Sequence, residues 1–243
     1  MSVAPVPARW RQGRCRYLVD APLLGRLRDA DFTPPEAAAR VGAAGRGGVL
    51  AVEFQGRPGV LRHYRRGGMV ERWLGDRYLW TGLERTRAFR EWRLLARLVE
   101  RGLPVPRPLA ARVCRDGLFW RGDLVTLRVP RARSLAEWLD ADPGRVDWAA
   151  VGRCIRRFHD AGVWHADLNA HNVLLDDRGG VWWVDLDRGR LRPPGRWRWR
   201  NLARLERSLR KLSREAGRPF PEEGWSALRR VYGGGAGLNP AGT

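Results

Sequence analysis

Apolar positions along the chain change period part of the way through. In residues 42–68, "GAAGRGGVLAVEFQGRPGVLRHYRRGG", short apolar runs are broken by glycine, which predicts strands at 49–54 and 60–64 around a turn at "QGRPG". In 83–102, Ala88, Trp92, Leu95 and Val99 recur at helical spacing, and Gly102 with Pro104 ends the helix. "CRDGLFWRGDLVTLRVP" (114–130) reads as two strands around a polar turn. Ser134 is placed to cap a short helix over 134–139. Residues 147–162 carry Val151, Ile155 and Phe158 on one stripe, with Asp147 as cap and Gly162 as stop. Two short apolar runs, 173–175 and 181–184, flank the turn "DDRGG", and 200–217 forms another amphipathic helix.

Strands therefore dominate the first half and helices the second. This predicts an α+β fold in two lobes, a small β-rich N-lobe and a mainly helical C-lobe. The expected division is 1–130 (with 1–15 flexible), 131–232 and a disordered tail, 233–243.

Composition narrows the partners. The 243 residues are 44% apolar and 30% charged, as in a globular protein with a real core. Without an apolar run of about 18 residues, no transmembrane helix is expected, and the N-terminal stretch predicts no export. Cys15, Cys114 and Cys154 lie far apart with no CxxC spacing, which argues against disulfides and zinc and fits a reducing cytosol. The net charge is +20, and every basic residue but Lys211 is arginine. A GC-rich coding sequence accounts for the skew. The charge itself favours anionic partners: nucleic acid, acidic membrane or phosphorylated substrate. The arginines are spread through nearly every segment, so charge alone does not choose among them.

The chemistry concentrates in "HADLNAHNVLL", 165–175. If Leu175 pairs with Val181 in an antiparallel hairpin, Asn172 and Asp185 fall almost opposite one another, with Cα atoms about 5 Å apart. An amide oxygen beside a carboxylate packs poorly but suits Mg²⁺. Asp167 lies on the loop leading into the same strand. The pattern His-x-Asp-x-x-x-x-Asn, strand, turn, strand, Asp resembles the catalytic core of protein-kinase-like phosphotransferases. The glycine loop such a core needs corresponds to Gly45 and Gly47 in "GRGGV", where a plain turn is equally compatible. No lysine stands in this half, so Arg62, or Arg65 on the same stretch, takes the phosphate-binding position, with Glu91 as its helical partner. "DLD" replaces Asp-Phe-Gly, and Asp187 is either a further carboxylate near the metal or a turn cap. Asn169, grouped with the nucleotide-binding residues, stands where protein kinases carry lysine, and no Ala-Pro-Glu segment is present. These departures point to small-molecule or glycolipid acceptors.

"VLRHYRRGG", "RYLWTGLERTRAFREWRLLARL", "GLPVPRPLAA", "HADLNAHNVLLD" and "VDLDRG" resemble the 3-deoxy-D-manno-octulosonic acid (Kdo) kinases, of the lipopolysaccharide kinase family of Gram-negative bacteria, over about residues 40–215. The resemblance implies ATP- and Mg²⁺-dependent phosphorylation of the Kdo 4-OH on an anionic Kdo-lipid A precursor, by a peripheral protein at the cytoplasmic face of the inner membrane. It assigns Asp167 as catalytic aspartate, His165 as first residue of the catalytic loop, Asn172 and Asp185 as metal ligands, and Arg62 with Glu91 as the phosphate-binding pair. His171 is expected to be a satisfied turn histidine. "RLRPPGRWRWR" (190–200) either presents tryptophans to headgroups or starts the next helix with Trp197 and Trp199 in the core, and "RYLW" (77–80) is a further place to touch the sugar. The rivals are a heptose or protein kinase of the same fold and an inactive kinase-shaped binding protein. No helix-turn-helix, finger or OB signature supports nucleic acid, and no stable protein partner is evident.

Overall fold

In the computed structural model the described residues are 4–34, 38–39, 49–64 and 76–234. The chain divides into two compact units, Met1–Val129 and Pro130–Thr243.

The first unit is built on an antiparallel sheet in the order β1 (Pro7–Gln12), β2 (Cys15–Asp20), β6 (Pro108–Asp116), β7 (Phe119–Leu127), β4 (Arg57–His63), β3 (Val49–Phe54), with β5 (Tyr78–Leu79) also paired to β7. The β3–β4 connection is tighter than the sequence suggests. Phe54 pairs with Arg57, and only Gln55 and Gly56 turn, at φ 47° and 73°. Two successive left-handed residues match the twist of the flanking strands. Helix α1 (Arg87–Glu100) buries Ala88, Phe89, Trp92, Leu95 and Leu98 and packs against β6 and β7. Tyr17, Val19, Leu24, Leu27 and Phe32 join Phe54, Leu61 and Val125 in a shared apolar cluster.

Two expectations are corrected here. The segment expected to be flexible contains β1, which pairs residue for residue with β2 from Pro7↔Asp20 to Gln12↔Cys15. Its arginines alternate with Ala8 and Trp10, and both of these pack on the apolar cluster. Cys15 and Cys114, 99 residues apart, face each other across β2 and β6 and are joined in a disulfide. Spacing along the chain is blind to cross-strand register, so the reading against disulfides fails, and the thiols give no support for a reducing compartment. Asp29 also comes within ligand distance of both sulfurs, but these are already bonded to each other.

The second unit begins with β8 (Arg133–Ser134) and α2 (Leu135–Ala141). The Ser134 hydroxyl accepts from the Glu137 amide while the Glu137 carboxylate accepts from the Ser134 amide. Helix α3 (Trp148–Asp160) follows, capped by Asp147 and burying Val151, Ile155 and Phe158. Short β9 (Val163–Trp164) pairs with β12 (Arg190–Leu191), and β10 (Val173–Leu175) lies between β8 and β11 (Val181–Trp183). Helices α4 (Trp197–Glu215) and α5 (Glu222–Gly233) complete the unit. At Gly152 a Cβ would lie 2.6 Å from the Leu228 carbonyl oxygen, so the close approach of α3 and α5 requires glycine. Phe158 stacks on Trp183 at 4.1 Å. Of the two readings of "RWRWR", the core reading holds for Trp197, while Trp199 is half-buried. Trp197 is buried at the start of α4, and Trp199 packs edge-on against Tyr232.

The fully buried His159 places Nδ1 2.7 Å from the Tyr232 hydroxyl. Burial pushes its pKa from 6.5 down to about 3. The folded protein keeps this ring neutral where the unfolded chain takes up a proton. Its contribution is therefore fully present above pH 6.5 and is lost as pH falls towards 3, by up to about 1.4 kcal/mol per pH unit. Urea denaturation from pH 4 to 8 should show a midpoint falling more steeply below 6.5 in wild type than in His159→Gln. Parallel curves would reject the assignment.

Candidate active site

The hairpin carries the site. Val173 pairs with Trp183 and Leu175 with Val181, and beyond the strand ends the Val184 amide donates to the Asn172 carbonyl at 3.1 Å. The register is the one inferred from the sequence, and it sets Asn172 beside the start of 184–185. Asp185 then breaks from strand geometry at φ 57° and is exposed. A left-handed non-glycine residue is costly, and such residues cluster at functional positions. Asp187, two residues on, is half-buried in the turn closed by the Gly189 amide on the Leu186 carbonyl.

The loop before the hairpin is held from within. His165 is fully buried. Its Nδ1 accepts from the Asp167 amide at 3.0 Å and its Nε2 lies 2.9 Å from the Val184 carbonyl. The proton therefore sits on Nε2, and both nitrogens are used. This ring ties the loop to the hairpin and so braces the segment that carries Asp167. Asn169 donates to the Asp167 carboxylate at 3.1 Å and accepts from the His171 and Asn172 amides. Its side chain shapes the loop. His171 also differs from expectation. The loop's own amides satisfy the turn, and its Nδ1 is buried without a hydrogen-bond partner among the described residues.

Asp167 emerges from this frame with its side chain 64% exposed, and Arg204 of α4 approaches it at 3.3 Å. A carboxylate fixed on one side and open on the other can accept a proton from an incoming hydroxyl. The Asn172 Nδ2 donates to the Asp167 carbonyl at 2.9 Å, which leaves Oδ1 as an acceptor. Together with the Asp185 carboxylate this gives two hard oxygen donors, a set that fits Mg²⁺.

In the first unit the structure brings Arg62 and Glu91 together across 29 residues. Arg62 lies on β4 between partners on β3 and β7, and its Nη1 is 3.2 Å from Glu91 on α1. The Glu91 side chain is only 3% exposed, and its second oxygen accepts from the Tyr64 hydroxyl at 2.6 Å. The Arg62 guanidinium also lies over the Tyr64 ring. Gly45, Gly47 and Arg65 lie outside the described residues. Beside the glycine-rich run, the Ala39 carbonyl accepts from Ala51 of β3 at 2.8 Å.

Sequence reasoning missed three supports, all on α4. Buried Asn201 clamps His165 from both sides of its peptide, accepting from its amide and donating to its carbonyl. The Ser208 hydroxyl accepts from the Ala170 amide, and Arg204 reaches Asp167. The signal was there to read, because Asn201 and Ser208 interrupt the buried stripe of Leu202, Leu205 and Leu209.

Residues 33–232 match the Lipopolysaccharide kinase (Kdo/WaaP) family. The chain is 49% identical over 214 residues to a 3-deoxy-D-manno-octulosonic acid kinase of Xanthomonas axonopodis pv. citri (strain 306), covering 85% of this chain and 86% of that protein. It is 43% identical over 234 residues to the enzyme of the same name from Stenotrophomonas maltophilia (strain R551-3), covering 94% of each. The chain belongs to the lipopolysaccharide kinase (Kdo/WaaP) family, whose kinase-like α+β fold it has.

Proposed function

We propose that this protein transfers the γ-phosphoryl group of ATP to a Kdo hydroxyl, the 4-OH, on a Kdo-bearing lipid A precursor. The observation that carries this reading is the complete set of Asp167, Asn172 and Asp185 on one braced loop and hairpin, in a chain 49% identical to a named Kdo kinase. Asp167 orients the acceptor hydroxyl and takes its proton as the new P–O bond forms and the bond to the ADP leaving group breaks. Asn172 and Asp185 hold Mg²⁺, which neutralises charge on the phosphates. Arg62 contacts the phosphates in place of lysine. Glu91 and Tyr64 fix its direction, so a fork of donors is presented and not a point charge.

The reading places the protein peripherally at the cytoplasmic face of the inner membrane. Among the described residues no helix is long and apolar enough to cross a membrane. The net charge of +20 favours anionic headgroups, and Leu79 and Leu118 are 57% and 69% exposed.

Incubation with Mg²⁺, γ-labelled ATP and Kdo-lipid A precursor tests the function. Label should enter the glycolipid, disappear with EDTA and return with added Mg²⁺. Unlabelled Kdo-lipid A beside a labelled heptosylated acceptor would replace this reading with a heptose kinase. No label in either would leave the inactive binding protein.

A further inference from the structure

A cavity of about 300 Å³ opens in the second unit beside the catalytic loop. Arg192, Arg200, Arg204 and Arg207 line it, with Trp164 and Ala166 among its other walls. Arg200, Arg204 and Arg207 follow one another at spacings of four and three along α4 and so share a face. Leu202, Leu205 and Leu209 are buried on another. Arg192 lies over Trp164, its guanidinium carbon 3.9 Å from the ring centroid.

Guanidiniums on successive helical turns repel one another. Elsewhere on α4, Arg198 meets Asp160 and Arg210 meets Glu206. Within the cavity Arg204 meets Asp167. Among the described residues, no carboxylate pairs with Arg192, Arg200 or Arg207. Three unmatched forks around a small cavity suit a planar anion, which guanidinium binds in bidentate fashion. The volume is at the small end for ligand sites, the scale of one sugar and not of an acylated disaccharide. Ala166 and Arg204 place the cavity directly beside Asp167.

We infer that this cavity receives the carboxylate of the acceptor sugar acid, held by Arg200 and Arg207, and thereby turns the reacting hydroxyl towards Asp167. The inference rests on the Kdo kinase reading above. The competing anion on the same acceptor is a lipid A phosphate.

Arg200→Gln and Arg207→Gln test it, because both side chains are exposed and neither has an ion pair to lose among the described residues. Each should raise KM for Kdo-lipid A about 10- to 100-fold while KM for ATP stays within about twofold. Wild type should lose as much on an acceptor whose Kdo carboxylate is methyl-esterified, and on that acceptor the variants should lose nothing further. Equal variant losses on the ester would overturn the inference. So would variant losses that vanish only on a dephosphorylated lipid A acceptor, since the cavity would then read phosphate. Binding of free Kdo, followed by tryptophan fluorescence, separates the two readings. Wild type should bind Kdo at millimolar concentration and not its methyl ester, with affinity about tenfold weaker in Arg207→Gln. Such binding without phosphoryl transfer would keep the cavity and reject the kinase. Transfer with unaltered variants, or no Kdo binding by wild type, would reject the cavity.

Discussion

Asp167→Asn lowers kcat for transfer to Kdo-lipid A by about 10²- to 10⁴-fold, the range expected when a positioned proton acceptor is lost. Asn169 donates to one Asp167 oxygen and Arg204 to the other, so asparagine keeps the shape of aspartate and an acceptor for one of these two bonds and loses the other. The structural cost is small. Both members of the Asp167–Arg204 pair are about half exposed or more, and such pairs contribute at most about 1 kcal/mol. The loop keeps its frame through His165 Nδ1, the Asn169 side-chain oxygen and Asn201, whose bonds do not involve the Asp167 carboxylate. The expected result is therefore an unchanged thermal midpoint, KM for ATP within a few-fold, and a collapsed single-turnover rate. A variant retaining a tenth of wild-type kcat would mean that the acceptor hydroxyl loses its proton to some other group.

The parts of this site that could be read from sequence are those set by local rules. The 173–183 hairpin has a short turn and two short apolar runs, so setting Leu175 opposite Val181 defines its register, and the structure has it residue for residue. The Ser134 and Asp147 caps are decided by side chains within three residues of the helix they start. The pairing of Arg62 with Glu91 is non-local, but a kinase-like core calls for a strand cation and a helical acid, and the helix of Glu91 follows the strand of Arg62. What stayed hidden was set by contacts between distant segments. The inner face of β1 offers only Ala8 and Trp10, too short an alternation to mark a strand until β2 and the apolar cluster meet it. The Cys15–Cys114 bond depends on the β2–β6 register across 99 residues. Arg204 looks like any solvated arginine of a basic helix, and only the packing of α4 beside the loop makes it a neighbour of Asp167. The bonds of His165 are likewise set by packing. The motif shows that a histidine begins the loop, whereas burial and two occupied nitrogens show that it works as a brace.

Arg62→Met separates two roles that one residue combines. Glu91 is almost wholly buried, and Arg62→Met removes its ion pair with Arg62 while the bond from the Tyr64 hydroxyl remains. Stranding one half of a buried pair costs roughly 3–5 kcal/mol, so the variant should unfold at clearly lower urea concentration. Transfer should fall as well, but a drop in activity of an unstable protein proves little. The double variant Arg62→Met/Glu91→Leu resolves this. Exchanging both charges for apolar side chains of similar bulk is often neutral for stability, so the double variant should regain most of the lost midpoint. It has no cation at position 62 to meet the phosphates, so kcat/KM for ATP should remain at least about 10²-fold below wild type, as when one preorganised electrostatic contact to the transition state is removed. Stability recovered without activity assigns Arg62 to phosphate binding. Stability and activity recovered together would make the pair a folding device, with the phosphate-binding cation supplied elsewhere in the chain.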